Sequence, residues 1–232
     1  MNLKQLLVMA GLVASIWGYG CKEKTAPPIE TVALKPGVVT ETTPNDTDDP
    51  AIWYNAANPE GSLVLGTDKG DTNGGIFVFD LNGKLVPGKS IDTLLRPNNI
   101  DIAYGFLLDS QSVDIAVFTE RGRNAIRVLK LPEVDFIDAG GIPVFEGDSL
   151  REPMGIALYK DPQTGHISAI VSRKTGPDGA YLWQYSLKDS SGIVTGSEVR
   201  RLGSFKGGKE IEAIAVDNAL GYVYYSDEGS GV

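Results

Sequence analysis

The sequence predicts an all-β fold, more closely a β-propeller, and three observations carry that expectation. After residue 40 no stretch of a dozen residues shows a helical apolar stripe. Short β-branched and aromatic runs bounded by Gly, Asn, Asp and Pro recur instead. The runs also repeat in order, and a repeat of roughly fifty residues is the length of a propeller blade.

The elements follow in chain order. Met1 to Lys4 is a short positive start, Leu6 to Trp17 an apolar run too short to span a bilayer comfortably, and small residues flank Tyr19 before Cys21. Residues 1–20 are therefore expected to be an export signal of lipoprotein type, with Cys21 lipidated. The alternative is ordinary secretion with an incidental cysteine. Either way the protein is expected to be exported, touching a membrane only through a lipid on Cys21. Residues 21–40, polar and carrying Pro27-Pro28, read as a tether, and 41–232 as a partial propeller.

Four units then begin alike, at Ala51-Ile52-Trp53-Tyr54, Asp101-Ile102-Ala103-Tyr104, Gly155-Ile156-Ala157-Leu158 and Ala213-Ile214-Ala215-Val216. Aligned on Ile52, Ile102, Ile156 and Ile214, they are spaced 50, 54 and 58 residues apart. A second run follows in each unit, at residues 62–67, 113–119, 167–172 and 222–226. A third, at 75–81, 125–131 and 180–187, appears in the first three only, giving about three and a half blades. A propeller must close on itself, so a longer natural polypeptide is expected.

Composition removes several chemistries. The formal charge is −9, from 21 Lys+Arg against 30 Asp+Glu, which excludes a generic basic nucleic-acid binder. One cysteine and one histidine leave no disulfide framework, no zinc cluster and little for a Ser-His-Asp triad. Chemistry must rest on carboxylates, Lys, Arg and bound cations.

The repeat lines those groups up. In an antiparallel pair the end of the second strand lies beside the start of the first, so both contribute to one face of the disc. Leaving the second strands are Asp68-Lys69, Glu120-Arg121, Arg173-Lys174 and Asp227-Glu228; leading into the first are Asp48-Asp49, Asn98-Asn99, Arg151-Glu152 and Glu210 to Glu212. Any one such residue is most simply a solvated loop charge. Recurrence in register points further, to a polyanion bearing several phosphates and to a hard cation such as Ca²⁺. Asp71 to Gly75 reads as a hairpin turn, His166 as an exposed hairpin tip, and Trp53, Trp183, Tyr222, Tyr224 and Tyr225 as strand packing.

The segments Asp48-Asp49-Pro50-Ala51-Ile52-Trp53, Arg96-Pro97-Asn98-Asn99-Ile100-Asp101, Ile211 to Asp217 and Tyr224 to Glu228 resemble the β-propeller phytases, calcium-dependent enzymes that dephosphorylate phytate. The resemblance runs from about Asp46 to Val232 and implies a six-bladed propeller of which this chain is the N-terminal portion, with further calcium ligands beyond Val232. It implies a 3-phytase type of phosphomonoester hydrolysis, with Ca²⁺ as cofactor, phytate or calcium-phytate as substrate, and a monomer. Carried over residue by residue, Lys69, Arg121 and Lys174 hold substrate phosphates. Asp48 and Asp49 with the carbonyls of Pro50 and Ile100 bind a structural calcium. Glu212 and Glu228 hold catalytic calcium and position water. Two departures stand out: Met154 where the family commonly has a phosphate-contacting tyrosine, and Thr175 to Gly179 where a glutamate is expected. The alternative functions are a cell-surface interaction module or a related esterase or phosphodiesterase on the same scaffold.

Overall fold

The computed structural model describes residues 33–206 and 209–232; the expected signal, Cys21 and most of the tether lie outside the described residues. The propeller blades fall in the unit Gly37–Val232.

Blade 1 contains β1 (Thr47–Trp53), β2 (Leu63–Asp68), β3 (Gly74–Phe79) and β4 (Ile91–Leu94), hydrogen-bonded in that order. Blade 2 contains β5 (Pro97–Leu108), β6 (Gln111–Glu120) and β7 (Ala125–Leu131), with an outer edge made by two short strands, β8 (Asp135–Phe136) and β9 (Ile142–Pro143), both paired with β7. Blade 3 contains β10 (Pro153–Lys160), β11 (Ile167–Arg173), β12 (Leu182–Ser190) and β13 (Ile193–Leu202). A fourth sheet follows, made by β14 (Ile211–Asp217) and β15 (Tyr222–Asp227). All pairings are antiparallel, and the chain is a partial β-propeller as its repeats predicted.

Packing explains why the middle strands read as unbroken apolar runs. Every residue of β3 and of β11 is buried, and blades 2 and 3 are covered on both faces by neighbouring sheets. Consecutive residues of one strand point to opposite faces, so they enter different cores. In β6, Ile115 and Val117 pack toward blade 3 with Ile156 and Trp183, whereas Ala116 and Phe118 pack toward blade 1 with Leu65 and Ile76. Ile170 and Leu182 likewise meet Ile211 in the core between blade 3 and the fourth sheet. Interdigitated blades leave no separable layer, and the whole stack shares its stability.

Three readings need correction. The outer strands β4, β8, β9 and β13 were not legible, since they are short or, in β13, largely exposed and polar, so no apolar period marks them. The alignment on isoleucines is also offset: in the pairing register Pro50, Ile100, Ile156 and Ile214 are equivalent, each opposite the residue two before the end of its partner strand. The true intervals are 50, 56 and 58, and a two-residue slip was invisible because it preserves the side-chain face. Finally, His166 is only half-exposed, since its Nε2 lies 2.8 Å from Ser186 Oγ, and Tyr222 and Tyr224 are exposed on β15.

Every inner pair carries a bulge at one place, between residues 47 and 50, 97 and 100, 153 and 156, and 211 and 214. A bulge releases backbone groups from the ladder, and they need other partners. Hydroxyls near the end of the second strand supply them: Asp49 N–H donates to Thr67 Oγ1 at 3.0 Å, Asn99 N–H to Thr119 Oγ1 at 3.1 Å and Gly155 N–H to Ser172 Oγ at 2.9 Å. Two of these hydroxyls also donate onward to the next blade, Thr119 to Met154 O at 2.6 Å and Ser172 to Ile211 O at 2.5 Å. We predict that Thr119→Val, which keeps the shape and strands both partners in a buried site, lowers stability by about 1–3 kcal/mol. Denaturant unfolding checks this, and an unchanged midpoint would show that the strap is idle.

Candidate functional site

The bulges present one residue of each blade at the same height. Just past the second strand, the backbone N–H of Lys69 donates to Asp46 O at 2.9 Å, Arg121 to Arg96 O at 3.0 Å, Lys174 to Glu152 O at 2.9 Å and Glu228 to Glu210 O at 3.1 Å. The three basic residues and Glu228 are therefore structurally equivalent. The residue before each is buried and ties down the incoming loop. Asp68 accepts from Asn45 N–H at 3.0 Å and Asp46 N–H at 2.7 Å, and Glu120 from Leu95 N–H at 2.9 Å. Arg173 donates to Leu150 O at 3.0 Å, and Asp227 accepts from Lys206 N–H at 3.1 Å. The sequence places these four on the same polar face as the site residues; the fold uses them as latches. Glu120 is in turn held by Arg127, whose guanidinium also grips Asp138, both at 2.8 Å.

Around this frame the predicted residues converge. Asp48, Asp49, Pro50, Ile100, Glu212 and Glu228 all line one cavity of about 670 Å³ along the inner strands. Lys69 Nζ lies 2.8 Å from Asp48 and 3.8 Å from Asp46, and Lys174 Nζ lies 2.5 Å from Glu210. Arg121 has no carboxylate within ion-pair distance among the described residues, and its guanidinium rests on the sulfur of Met154. Asp49 is partly engaged, since one carboxylate oxygen accepts from Ile100 N–H at 2.9 Å.

Two contributors went unrecognised. Asn98 is buried and its Nδ2 donates to Asp48 at 3.0 Å and to Glu212 at 3.1 Å, joining the first blade to the fourth sheet across the site. Glu210 was noted only as a charge leading into a strand. Carboxylate oxygens of Glu210, Glu212 and Glu228 lie within 4.8 Å of one another. Its signal was available: Glu210 precedes β14 as Asp46 precedes β1.

The electrostatics of the carboxylates favour positive charge at the site. Burial first, and then the neighbouring Asp48, raises the Asp49 pKa. Burial first, followed by Asp48 and Glu210, does the same for Glu212. Burial opposes the charge on Lys69, yet the hydrogen bond and charge of Asp48 outweigh it and raise its pKa. Within the cluster Asn98 Oδ1 is buried with no hydrogen-bond partner. An all-oxygen donor set with an orphaned amide oxygen fits a hard divalent cation.

A family model described as Phytase matches residues 12–232. The chain belongs to the phytase family. Among curated relatives, the 3-phytase of Bacillus subtilis (strain 168) is 31% identical over 192 residues, which is 80% of this chain and 46% of that protein. The chain thus spans about half the length of this curated relative. Membership and fold agree with what the Asp48, Arg96 and Ile211 segments implied.

Two predictions follow from this geometry. A Cβ on Gly155 would meet Glu212 O at 1.9 Å, a backbone atom that cannot swing aside. Gly155→Ala is therefore expected to cost about 1–3 kcal/mol by overpacking and to weaken divalent-cation affinity at least tenfold by displacing Glu212. Calorimetric titration checks it, and wild-type affinity would sever the link between Gly155 and the site. The second concerns pH. Because the folded pKa values of Asp49 and Glu212 are raised, the metal-free fold binds protons more tightly than the unfolded chain. Their contribution is favourable at low pH and is lost as pH rises from the ordinary carboxylate range through the raised values. Melting temperature in chelator should carry this downward term, Glu212→Gln should reduce it, and added divalent cation should restore stability. An identical pH profile for Glu212→Gln would refute the repulsion.

Proposed function

We propose that the protein hydrolyses phosphomonoesters of phytate, myo-inositol hexakisphosphate, with calcium held at the Glu212 and Glu228 face. The observation that carries this reading is the equivalence of Lys69, Arg121, Lys174 and Glu228 around one axis, with Glu210 and Glu212 beside them. Family membership and the name of the Bacillus relative support the substrate class.

The residues divide the work. Lys69, Arg121 and Lys174 bind phosphate oxygens, and each must exchange its present contact for substrate: Asp48, the Met154 sulfur and Glu210 respectively. Release of Lys69 frees Asp48, and release of Lys174 frees Glu210, so phosphate binding and cation binding favour each other. Asp48, Glu210, Glu212 and Glu228 hold the cations, and Asn98 keeps Asp48 and Glu212 in position. Asp48 and Asp49 with the Pro50 and Ile100 carbonyls form the structural calcium position. Bound calcium supplies charge neutralisation on the phosphate and activation of water. A carboxylate of the Glu212–Glu228 pair orients that water in line with the ester bond, and no covalent enzyme intermediate is required.

Met154 replaces a tyrosine that would contact phosphate there, and Thr175 stands where a glutamate after Lys174 is expected. Both changes act on phosphate placement rather than on cation binding. The protein acts as an exported monomer, anchored through a lipid on Cys21.

The experiment is calcium-dependent phosphate release from phytate by the full-length protein. Arg121→Ala is expected to lower kcat/KM by roughly 10²-fold while leaving calcium-dependent thermal stabilisation intact, since a charge-assisted contact contributes about 1.5–3 kcal/mol and more in a desolvated site. Glu212→Gln should weaken calcium binding and turnover together. Near-wild-type turnover by Arg121→Ala would return the basic residues to the status of solvated loop charges and favour a surface interaction module.

A further inference from the structure

In blades 1 and 3 and in the fourth sheet the residue that leads into the inner strand is an acid, Asp46, Glu152 and Glu210; Asp46 lies 3.8 Å from Lys69, and Glu210 pairs with Lys174 of the preceding blade. Blade 2 breaks this pattern. The position equivalent to Asp46, Glu152 and Glu210 is Arg96, and it stands beside Arg121 rather than neutralising it.

Arg96 is also built into the line of phosphate-binding residues. Its backbone N–H donates to Gly70 O at 2.9 Å, one residue past Lys69, and its carbonyl accepts from Arg121 N–H at 3.0 Å. Lys69, Arg96 and Arg121 thus succeed one another along a single hydrogen-bonded edge. To sit there Arg96 adopts a left-handed conformation, φ 53°, directly before Pro97. A non-glycine residue held in that region is usually fixed by its surroundings for a purpose.

The charges are not resolved within the protein. The Nε atoms of both Arg96 and Arg121 are buried and lack hydrogen-bond partners. Burial and then the Arg96 charge push the Arg121 pKa down. The only carboxylate in ion-pair contact with Arg96, among the described residues, is Asp71, which is three-quarters exposed on the turn after β2. Two adjacent guanidinium groups, each with an unpartnered buried Nε, fit two neighbouring phosphate groups of one polyanion, one on each fork.

We propose that Arg96 is a fourth phosphate-binding residue, which leaves Asp71 to take a second phosphate group of the substrate beside the one held by Arg121, and that it selects substrates bearing several phosphates over a single phosphate. This inference rests on the proposed phytate-hydrolysing function and deepens it. Because Lys69 and Arg121 serve on either side, Arg96 contributes to holding the polyphosphate and not to breaking the ester bond. Arg96 is therefore a specificity-determining residue.

The test compares Arg96→Gln, Arg96→Lys and Asp71→Ala in the full-length protein with calcium, using phytate as substrate and inorganic phosphate as competing inhibitor. Arg96→Gln keeps the length and removes the charge. It should raise KM for phytate roughly tenfold, leave kcat within about twofold and leave the inhibition constant of inorganic phosphate within about twofold. Arg96→Lys should recover part of the KM. Asp71→Ala, which frees Arg96, should leave KM unchanged or lower it. A purely structural Arg96–Asp71 contact predicts instead that Asp71→Ala reproduces Arg96→Gln, and that result overturns the inference. An unchanged KM in Arg96→Gln, or an equal loss of phytate and inorganic phosphate binding, overturns it as well while the proposed function stands. If the wild type neither binds phytate nor releases phosphate from it, the function itself fails and this inference with it.

Discussion

One backbone hydrogen bond, repeated four times, sets the site. It runs from the residue just past the second strand of each blade to the residue leading into the first, and it closes over a bulge placed identically in every blade. The bulge turns the start of the inner strand and frees an N–H, and in three blades Thr67, Thr119 or Ser172 takes it up. Since the bond fixes main chain rather than side chain, the residue it presents can vary freely. Lysine, arginine, lysine and glutamate occupy one geometry, and the sheet beneath stays the same.

That separation of scaffold and chemistry explains the charge pattern. Buried latches at Asp68, Glu120, Arg173 and Asp227 satisfy loop backbone and hold position, so their hydrogen bonds serve the fold. The neighbouring, partly exposed charges are those we propose for the chemistry, and they pair among themselves, Lys69 with Asp48 and Lys174 with Glu210. Such pairs are partly solvated and individually weak, which makes exchange for a phosphate on one side and a cation on the other inexpensive. Arg121 stands apart because its blade offers Arg96 where the others offer an acid.

The sequence made the inner and middle strands legible because they are fully or nearly buried and rich in β-branched residues, and the site cations legible because they recur just past those strands. Outer strands escaped detection. β13 is mostly exposed and carries charge along its length, and β8 and β9 are two residues each. The bulges were equally hidden, because a pairing offset of two leaves every side chain on its face. Asn98 and Glu210 lay within quoted segments, but the role of Asn98 depends on a contact between blade 2 and the fourth sheet more than a hundred residues apart in the chain, and that of Glu210 on Lys174 of the preceding blade. Local pattern cannot report such closure, whereas the resemblance of whole segments to a family could.

The central claim is that equivalent positions around one axis form a joint phosphate and cation site. A crystal structure of the full-length protein with calcium and a non-hydrolysable hexasulfate analogue of phytate tests it most directly. The account predicts cations bound by Glu212 and Glu228, sulfate oxygens within hydrogen-bond distance of Lys69, Arg121 and Lys174, and the Lys69–Asp48 and Lys174–Glu210 pairs opened. An analogue bound elsewhere, with both ion pairs intact and no cation on the glutamates, would contradict it.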